Sequence, residues 1–406
     1  MLSVEEALAQ VLSAFRPLEA ESVSLLESLN RVLALPVHAY NNIPPHDNSA
    51  MDGYALITRD TLGATAEEPV RLCVIENLAA GYLAKETVTP GTAIRIMTGA
   101  PLPAGANAVI QFEETRRDGE WVDIFSPVPV GQHVRRAGED AREGDLILPQ
   151  GAWIRPQDVG MLASLGIGQV LVTRRPRVAI LATGDELADV DEPLAPGKIR
   201  NSNSYANAAQ VLKYGGIPVM LGIARDTRDD LVGKIREGLA QHVDMFLTSG
   251  GVSVGDFDMV KTVLAAEGTM TFWRVQMKPG KPLAFGTLTA TDGRPVPMLG
   301  MPGNPVSVMV SFEIFARPAI ATMLGQSTER ETIEAILLDP IKSKDDRRHY
   351  LRVQVFWQDG QYCARQTGEQ GSGILSSMVK ANGLAIIPET WDSAPAGARV
   401  KVLRLD

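Results

Sequence analysis

Cysteine is almost missing from this 406-residue sequence: only Cys73 and Cys363 are present, far apart in the chain. Two such residues give neither a disulfide framework nor a thiolate metal cage. Histidine is nearly as sparse, and His38, His46, His133, His242 and His349 show no HExxH or similar spacing. That removes the common zinc signatures, so any metal is expected to be a hard ion held by oxygen. Positive charge is in deficit as well, with 39 Lys and Arg against 48 Asp and Glu and a formal net charge of -9. Neither a nucleic-acid groove nor an anionic membrane surface is the expected partner. No apolar run of about 18 residues appears, so no membrane span is expected. Glu5 and Glu6 stand where a signal peptide has a basic and then apolar pattern, and the expected location is the cytoplasm.

What is present suits a globular protein with real cores, at 45% hydrophobic and 21% charged residues. At about 100–200 residues per domain the length predicts two to four domains. Ser3 with Glu6 reads as a capping box, and Val4, Leu8, Val11, Leu12 and Phe15 mark one helical face. After a break at Pro17, a second helix is expected to open at Ser24 with Glu27 and to run through Leu33. Residues 41–45 read as extended linker, because each proline biases its predecessor away from helix. From 54 to 150, short alternating strands and recurrent turn glycines mark a β-rich module, followed by a helix over 158–165 closed by Gly166. Residues 176–325 then alternate. Strands are predicted at 178–181, 217–221, 245–248 and 296–299, and helices at 206–214, 229–240 and around 259–264. A long helix runs from Asn304-Pro305 through 324. That alternation implies a mainly parallel sheet with helices on both faces. The tail returns to strands at 333–337, 350–356, 384–387 and 400–403, and reads as a small barrel or sandwich. Four units are expected: 1–40 with 141–172, 41–140, 173–326 and 327–406.

The stretch from Phe246 to Asp258 carries the most chemistry. A buried strand enters a loop containing Gly250, Gly251, Ser253 and Gly255, and a helix follows. Backbone N–H groups of such a loop can approach a phosphate, helped by the positive helix end. It is neither a Walker loop nor a dinucleotide fingerprint, since Gly-Lys-Ser/Thr and GxGxxG are both absent. A second loop, Thr183-Gly184-Asp185-Glu186-Leu187, follows the first strand of the unit, and Asp226 follows another. Ligands bind at the carboxyl ends of parallel strands, so Glu186, Asp226 and Asp258 are expected to converge as an oxygen-rich site. Lys278 and Lys281, in a loop stiffened by Pro279, Gly280 and Pro282, suit a small oxyanion such as molybdate, phosphate or sulfate. The loop 300–307 adds a helix N-terminus with the Ser307 hydroxyl. Elsewhere, Asn48 and Asp52 lie in a polar cluster at a linker-to-strand junction, and Thr98 ends a strand. Arg135, Arg136 and Asp140 share a charged loop, Arg352 lies within a tail strand, and Ser372 sits in a Gly/Ser loop. Each of these, taken singly, also reads as an ordinary turn or surface segment.

Together they form a sharper pattern. DNSAMDGYA at 47–55, RIMTGAPLP at 95–103, GED at 138–140, TGDEL at 183–187, GGVSVGDFD at 250–258, KPGKP at 278–282 and PGNPVS at 302–307 occur in this order. The sequence thereby resembles the molybdopterin molybdenumtransferases, a family that includes bacterial enzymes, a plant domain and the C-terminal domain of gephyrin. The resemblance spans nearly the whole chain. It implies a multi-domain α/β plus β protein. The central domain is a three-layer α/β/α unit with a mainly parallel sheet. A β-rich domain is inserted into an elongated helical linker domain, and a β-barrel ends the chain. It also implies a homodimer, with molybdate and adenylylated molybdopterin as substrates, AMP released and Mg2+ as cofactor. A molybdopterin adenylyltransferase and apo-molybdoenzymes would be transient partners. On the matching positions, Asp52 and Thr98 would reach the site from the partner-subunit side, with Asn48 and Asp140 in the same strings. Glu186, Asp226 and Asp258 would line the adenylyl and metal region, beside Gly250, Gly251, Ser253 and Gly255. Lys278 and Lys281, with Pro302 and Ser307, would take molybdate or the terminal phosphate. Arg352 and Ser372 carry over in the tail, with Ser376 as a neighbour able to replace Ser372. The sulfur ligands would belong to the substrate, which explains how a chain with two unclustered cysteines can handle a thiophilic metal. Other readings are a pterin-binding scaffold without turnover, an adenylyltransferase acting earlier, and tungstate in place of molybdate. The modules around DNSAMDG and MTGAP speak against a lone adenylylating domain.

Overall fold

A computed structural model describes residues 1–250, 268–342 and 345–405. The first helix, Val4–Leu12, begins as its sequence predicts. Ser3 Oγ accepts the Glu6 N–H at 3.1 Å, and the Glu6 carboxylate accepts the Ser3 N–H at 2.8 Å. Its apolar face buries Val4, Ala7 and Val11 against the core of the α/β unit, and Leu2 N–H donates to the Arg274 carbonyl at 2.9 Å. The N-terminal helix is thus a wall of that unit.

The second expected helix is absent. Ala20–Ser24 is a strand paired antiparallel with Gln169–Thr173, so this strand bridges segments far apart in the chain. Only half of the expected box forms: the Glu27 carboxylate accepts the Ser24 hydroxyl at 2.7 Å and the Ser24 N–H at 3.2 Å, and only the short 3-10 turn Leu26–Ser28 follows. The reason is packing: Leu33 joins Val170, Val172, Ile154 and Leu162 in a small core, with Val23 against it. Burying those side chains outweighs a local helical preference worth tenths of a kcal/mol per residue, about 0.2–0.7. The helix Pro156–Ser164 completes this unit and stops at Gly166, which has a φ of 75°.

The β-rich unit is one six-stranded sheet. Its order is Ala108–Gln111, Gly53–Leu56, Thr92–Ile96, Val70–Leu78, Trp121–Ile124, Thr115–Asp118. Residues of alternate parity fill a core on each face, Tyr54, Leu56 and Ile110 on one and Ala55, Ile94 and Val109 on the other.

The central sheet also has six strands, ordered Ile217–Ala224, Arg177–Thr183, Met245–Ser249, Pro295–Met301, Pro282–Thr289, Gly268–Arg274. The first four run parallel, and the last two are antiparallel additions that the sequence pattern did not reveal. Val178, Ile180, Leu247 and Leu299 face one apolar layer, which includes Val211, Phe312 and Ile320. Ala179, Leu181 and Phe246 face the other, with Leu231, Ile235 and Leu239 of the helix Arg228–Ala240. This is the expected three-layer α/β/α arrangement. The segment predicted as a helix around 259–264 lies outside the described residues. The long helix from Pro305 is a composite: Pro305–Ser311, a π-helical turn Phe312–Ala316, and Arg317–Met323. As one 19-residue span it is long and apolar enough to cross a membrane, but 83% of its most apolar stretch is buried inside the protein, as befits a core helix.

In the tail, Arg348–Gln358, Gln361–Gln366, Thr332–Leu337, Arg399–Arg404 and Gly383–Ile387 pair in that order, and the last returns to the first. The result is a closed five-stranded barrel around Leu337, Val353, Ala364, Ala385 and Val402.

Candidate functional site at the strand ends and the barrel junction

The carboxyl ends of three parallel strands form the floor of the site. Gly250, with a φ of 94°, donates its N–H to the Met301 carbonyl at 3.3 Å. A Cβ on Gly250 would lie 2.7 Å from the Thr183 carbonyl oxygen and 3.0 Å from Thr183 Oγ1, so only glycine fits here. Thr183 Oγ1 is buried with no hydrogen-bond partner among the described residues, beside the loop expected to bind phosphate. Gly303 lies close to Gly250 from the next strand end.

Of the three expected acids, Asp226 meets not Glu186 but its neighbour Asp185, across the ends of adjacent strands. The Asp185 N–H donates to the Asp226 carboxylate at 3.2 Å, and the Asp226 N–H returns to the Asp185 carboxylate at 3.3 Å. Lys198 fixes the loop by donating to the Asp185 carbonyl. Glu186 folds its carboxylate over Gly184, where a Cβ would come within 2.3 Å of Glu186 Oε2. Both Glu186 and Asp226 are exposed. Asp258, Gly251, Ser253 and Gly255 lie outside the described residues. Among the described residues no group of three or more His, Cys, Asp or Glu side chains is gathered for a metal.

The lysine loop closes a hairpin between Gly268–Arg274 and Pro282–Thr289. Within it, Met277–Lys278 pairs parallel with the start of the barrel strand Arg348–Gln358. Lys278 is exposed, and its ammonium lies 3.4 Å from Asp345 Oδ2. Lys281 is half-buried. Pro302 is buried, and Ser307 is 4% exposed in the first turn of the composite helix. Asn304 occupies the N-cap but makes no capping bond; its Nδ2 instead donates to Ser372 Oγ at 3.1 Å. The Val306 N–H is already taken by the Ser372 carbonyl at 3.0 Å, so the helix start is partly capped by the barrel loop.

Arg352 stands behind that loop. It is 1% exposed, with Nε donating to Ser377 Oγ at 3.1 Å and Nη2 to the Gly371 carbonyl at 3.1 Å. Burial pushes its guanidinium down to about 10. Among the described residues it has no ion-pair partner.

The β-rich residues form a separate group. Thr98 donates both its N–H and its hydroxyl to Asp52 Oδ1, each at 2.7 Å, and these bonds hold the Asp52 carboxyl below its usual range. Asn48 pairs in a short ladder with Arg135, and its Oδ1 is buried without a partner among the described residues. Asp140 is exposed, its N–H bound to the Ile43 carbonyl at 2.9 Å. The side-chain bonds of Asp52 and Thr98 close on each other, within their own unit.

Three family models match consecutive parts of the chain: the MoeA N-terminal region (domain I and II) over 2–166, a probable molybdopterin binding domain over 179–322, and the MoeA C-terminal region (domain IV) over 334–405. A molybdopterin molybdenumtransferase of Nostoc sp. is 38% identical over 95% of this chain and 89% of its own length. One of Bacillus subtilis is 34% identical over 99% and 94%. A crystal structure of the molybdopterin biosynthesis moeA protein from Pyrococcus horikoshii OT3 superposes with a TM-score of 0.83 at 34% identity, covering 100% of both chains. The chain belongs to the molybdopterin molybdenumtransferase family. Within this molybdenumtransferase framework, sequence reasoning missed Asp185, Lys198, Asp345 and Ser377. Asp345 sits in the charged run 344–348, which reads as solvated surface, and no spacing rule connects it to Lys278. Ser377, on the short helix Leu375–Val379, bonds Arg352, while Ser372 accepts from Asn304.

Proposed function

We propose that this protein inserts molybdate into adenylylated molybdopterin with release of AMP. The observation that carries the reading is Arg352, a buried guanidinium without an ion-pair partner among the described residues, beside the Ser372 loop and the helix start at Pro305. A charge held out of water without a counter-ion is costly, so such a cation is matched to an incoming anion. Lys278 and Lys281 attract and orient the molybdate dianion from the neighbouring loop. The Gly250 turn gives the phosphate-bearing substrate close access to backbone at the strand ends. Loss of oxo ligands as water needs protons, and a carboxyl group at the strand ends is the proton source.

Mg2+ would be held by the oxygen donors Glu186 and Asp226, with Asp258, outside the described residues, as the expected third, and the ion would neutralise the pyrophosphate charge. Asp52, Thr98, Asn48 and Asp140 are assigned to the site of a second copy, which makes the working unit a homodimer. The setting is the cytoplasm, with a molybdopterin adenylyltransferase upstream and apo-molybdoenzymes as acceptors.

The test is reconstitution from purified protein, adenylylated molybdopterin, molybdate and Mg2+, following AMP release and activation of a cofactor-free molybdoenzyme. Molybdate-dependent release with activation is the expected result. Tight pterin binding without turnover would point to a scaffold instead.

A further inference from the structure

The Lys278 loop is held by the barrel unit through more than a surface ion pair. Met277 and Lys278 are in ladder register with Arg348 and His349, and the Arg348 N–H donates to the Gln276 carbonyl at 3.0 Å. On its other side the loop packs against the composite helix, where a Cβ on Gly280 would come within 2.7 Å of Ser311 Oγ. The backbone of the loop is therefore fixed, while the long Lys278 side chain still has to be aimed.

Asp345 is placed to aim it. Its carboxylate receives Arg347 Nη2 at 2.7 Å and Nε at 3.1 Å, and His349 Nε2 lies 2.9 Å from Oδ1. His349 is 4% exposed and Arg347 half-buried, so the carboxylate is anchored from the barrel side. Lys278 makes the longest contact of the set, 3.4 Å to Oδ2. An ammonium has three donors, and this contact engages one of them, leaving two for another acceptor. The charges agree: Lys278 and Arg347 together carry two positive charges against the one negative charge of Asp345, and the cluster still attracts an anion. A carboxylate meant to neutralise Lys278 would not be shared in this way with a bidentate arginine.

We propose that Asp345 is a positioning residue for the oxyanion: it orients the Lys278 ammonium from the barrel unit, with Arg347 and His349 holding the carboxylate in place. The inference rests on the reading of Lys278 as an oxyanion ligand. It gives the barrel unit, beyond Arg352, a second part in the oxyanion subsite, through a residue that touches no substrate.

The experiment is calorimetric titration of the full-length protein with molybdate alone, for the wild type, Asp345→Asn, Lys278→Met and the double variant, with thermal midpoints measured alongside. Asp345→Asn should weaken molybdate binding about tenfold, as expected for coupled neighbours. In the Lys278→Met background the same change should have an effect under about twofold. Asp345→Glu should recover part of the loss. Wild-type-like or tighter binding by Asp345→Asn, or an equal loss in both backgrounds, would overturn the proposal, whatever happens to the thermal midpoint. AMP release by the wild type is scored separately. A wild type that binds molybdate but releases no AMP sinks the transferase reading and leaves Asp345 standing on the binding data. A wild type that binds no molybdate sinks both.

Discussion

Arg352 and Asp345 show how two charged residues of one barrel strand region differ in kind. Arg352 is buried among neutral acceptors, and its desolvation is not offset by any ion pair among the described residues. Its replacement by methionine should therefore cost little stability, under about 1 kcal/mol in urea denaturation, because lost hydrogen bonds and relieved desolvation oppose each other. The same variant should lose at least about tenfold in molybdate-dependent AMP release, the scale expected when an anion-stabilising donor is removed. A large stability loss would mean that Arg352 is structural. Asp345 behaves oppositely. The Arg347 bonds, opposed by burial and aided by His349, hold its carboxyl well below the ordinary 3.8. A depressed carboxyl stabilises the fold fully above the unfolded value and loses that contribution as pH falls through the lower folded value. Asp345→Asn should thus flatten the fall in urea midpoint below pH 3.8, with the difference from wild type largest at neutral pH.

The composite helix from Pro305 is the element on which core and site meet. Its π-helical turn carries Glu313, 5% exposed, which accepts the Tyr214 hydroxyl at 2.8 Å and Gln210 Nε2 at 3.0 Å and pairs with Arg330. Burial, with Glu313 next to it, pushes the Tyr214 hydroxyl up to about 12, so it remains a donor. Glu313→Ala leaves Arg330 without its partner and should cost about 3 kcal/mol, far more than Arg352→Met, in the same denaturation series. The N-terminal helix gives a milder case. Ser3→Ala removes one side of an exposed capping box and should cost about 1 kcal/mol, because the apolar face that docks it is unchanged. The failed helix at Ser24 makes the converse point. The Glu27 carboxylate accepts from Ser24, yet no helix follows, because Val23 and Leu33 have an apolar core to fill.

At the scale of the molecule, the Asp52–Thr98 group and the lysine–barrel junction are separate clusters, and a homodimer would unite them across two copies. That arrangement has a distinctive consequence. Asp52→Ala and Lys278→Met, each inactive alone, would complement each other when refolded as a mixture. Random pairing makes half the dimers mixed, each with one intact site of two, so activity should recover to about 25% of wild type. A site built within one chain predicts no recovery. Light scattering at twice the chain mass would support the dimer independently.

What the sequence determined by itself was local and periodic. The helix cap at Ser3, the stop at Gly166, the alternating strands of the central unit and the order of seven short strings follow from side-chain chemistry over a few residues. Those features name the family and most of the candidate side chains. Tertiary structure decided which distant segments lie together. It turned 20–24 into a strand, added two antiparallel strands to the sheet, and gave Arg352 to Ser377. It also placed Asp345 on Lys278, 67 residues apart in sequence. The physical reason is the same each time: burial and pairing energies depend on partners brought from elsewhere in the chain, and no local pattern records them.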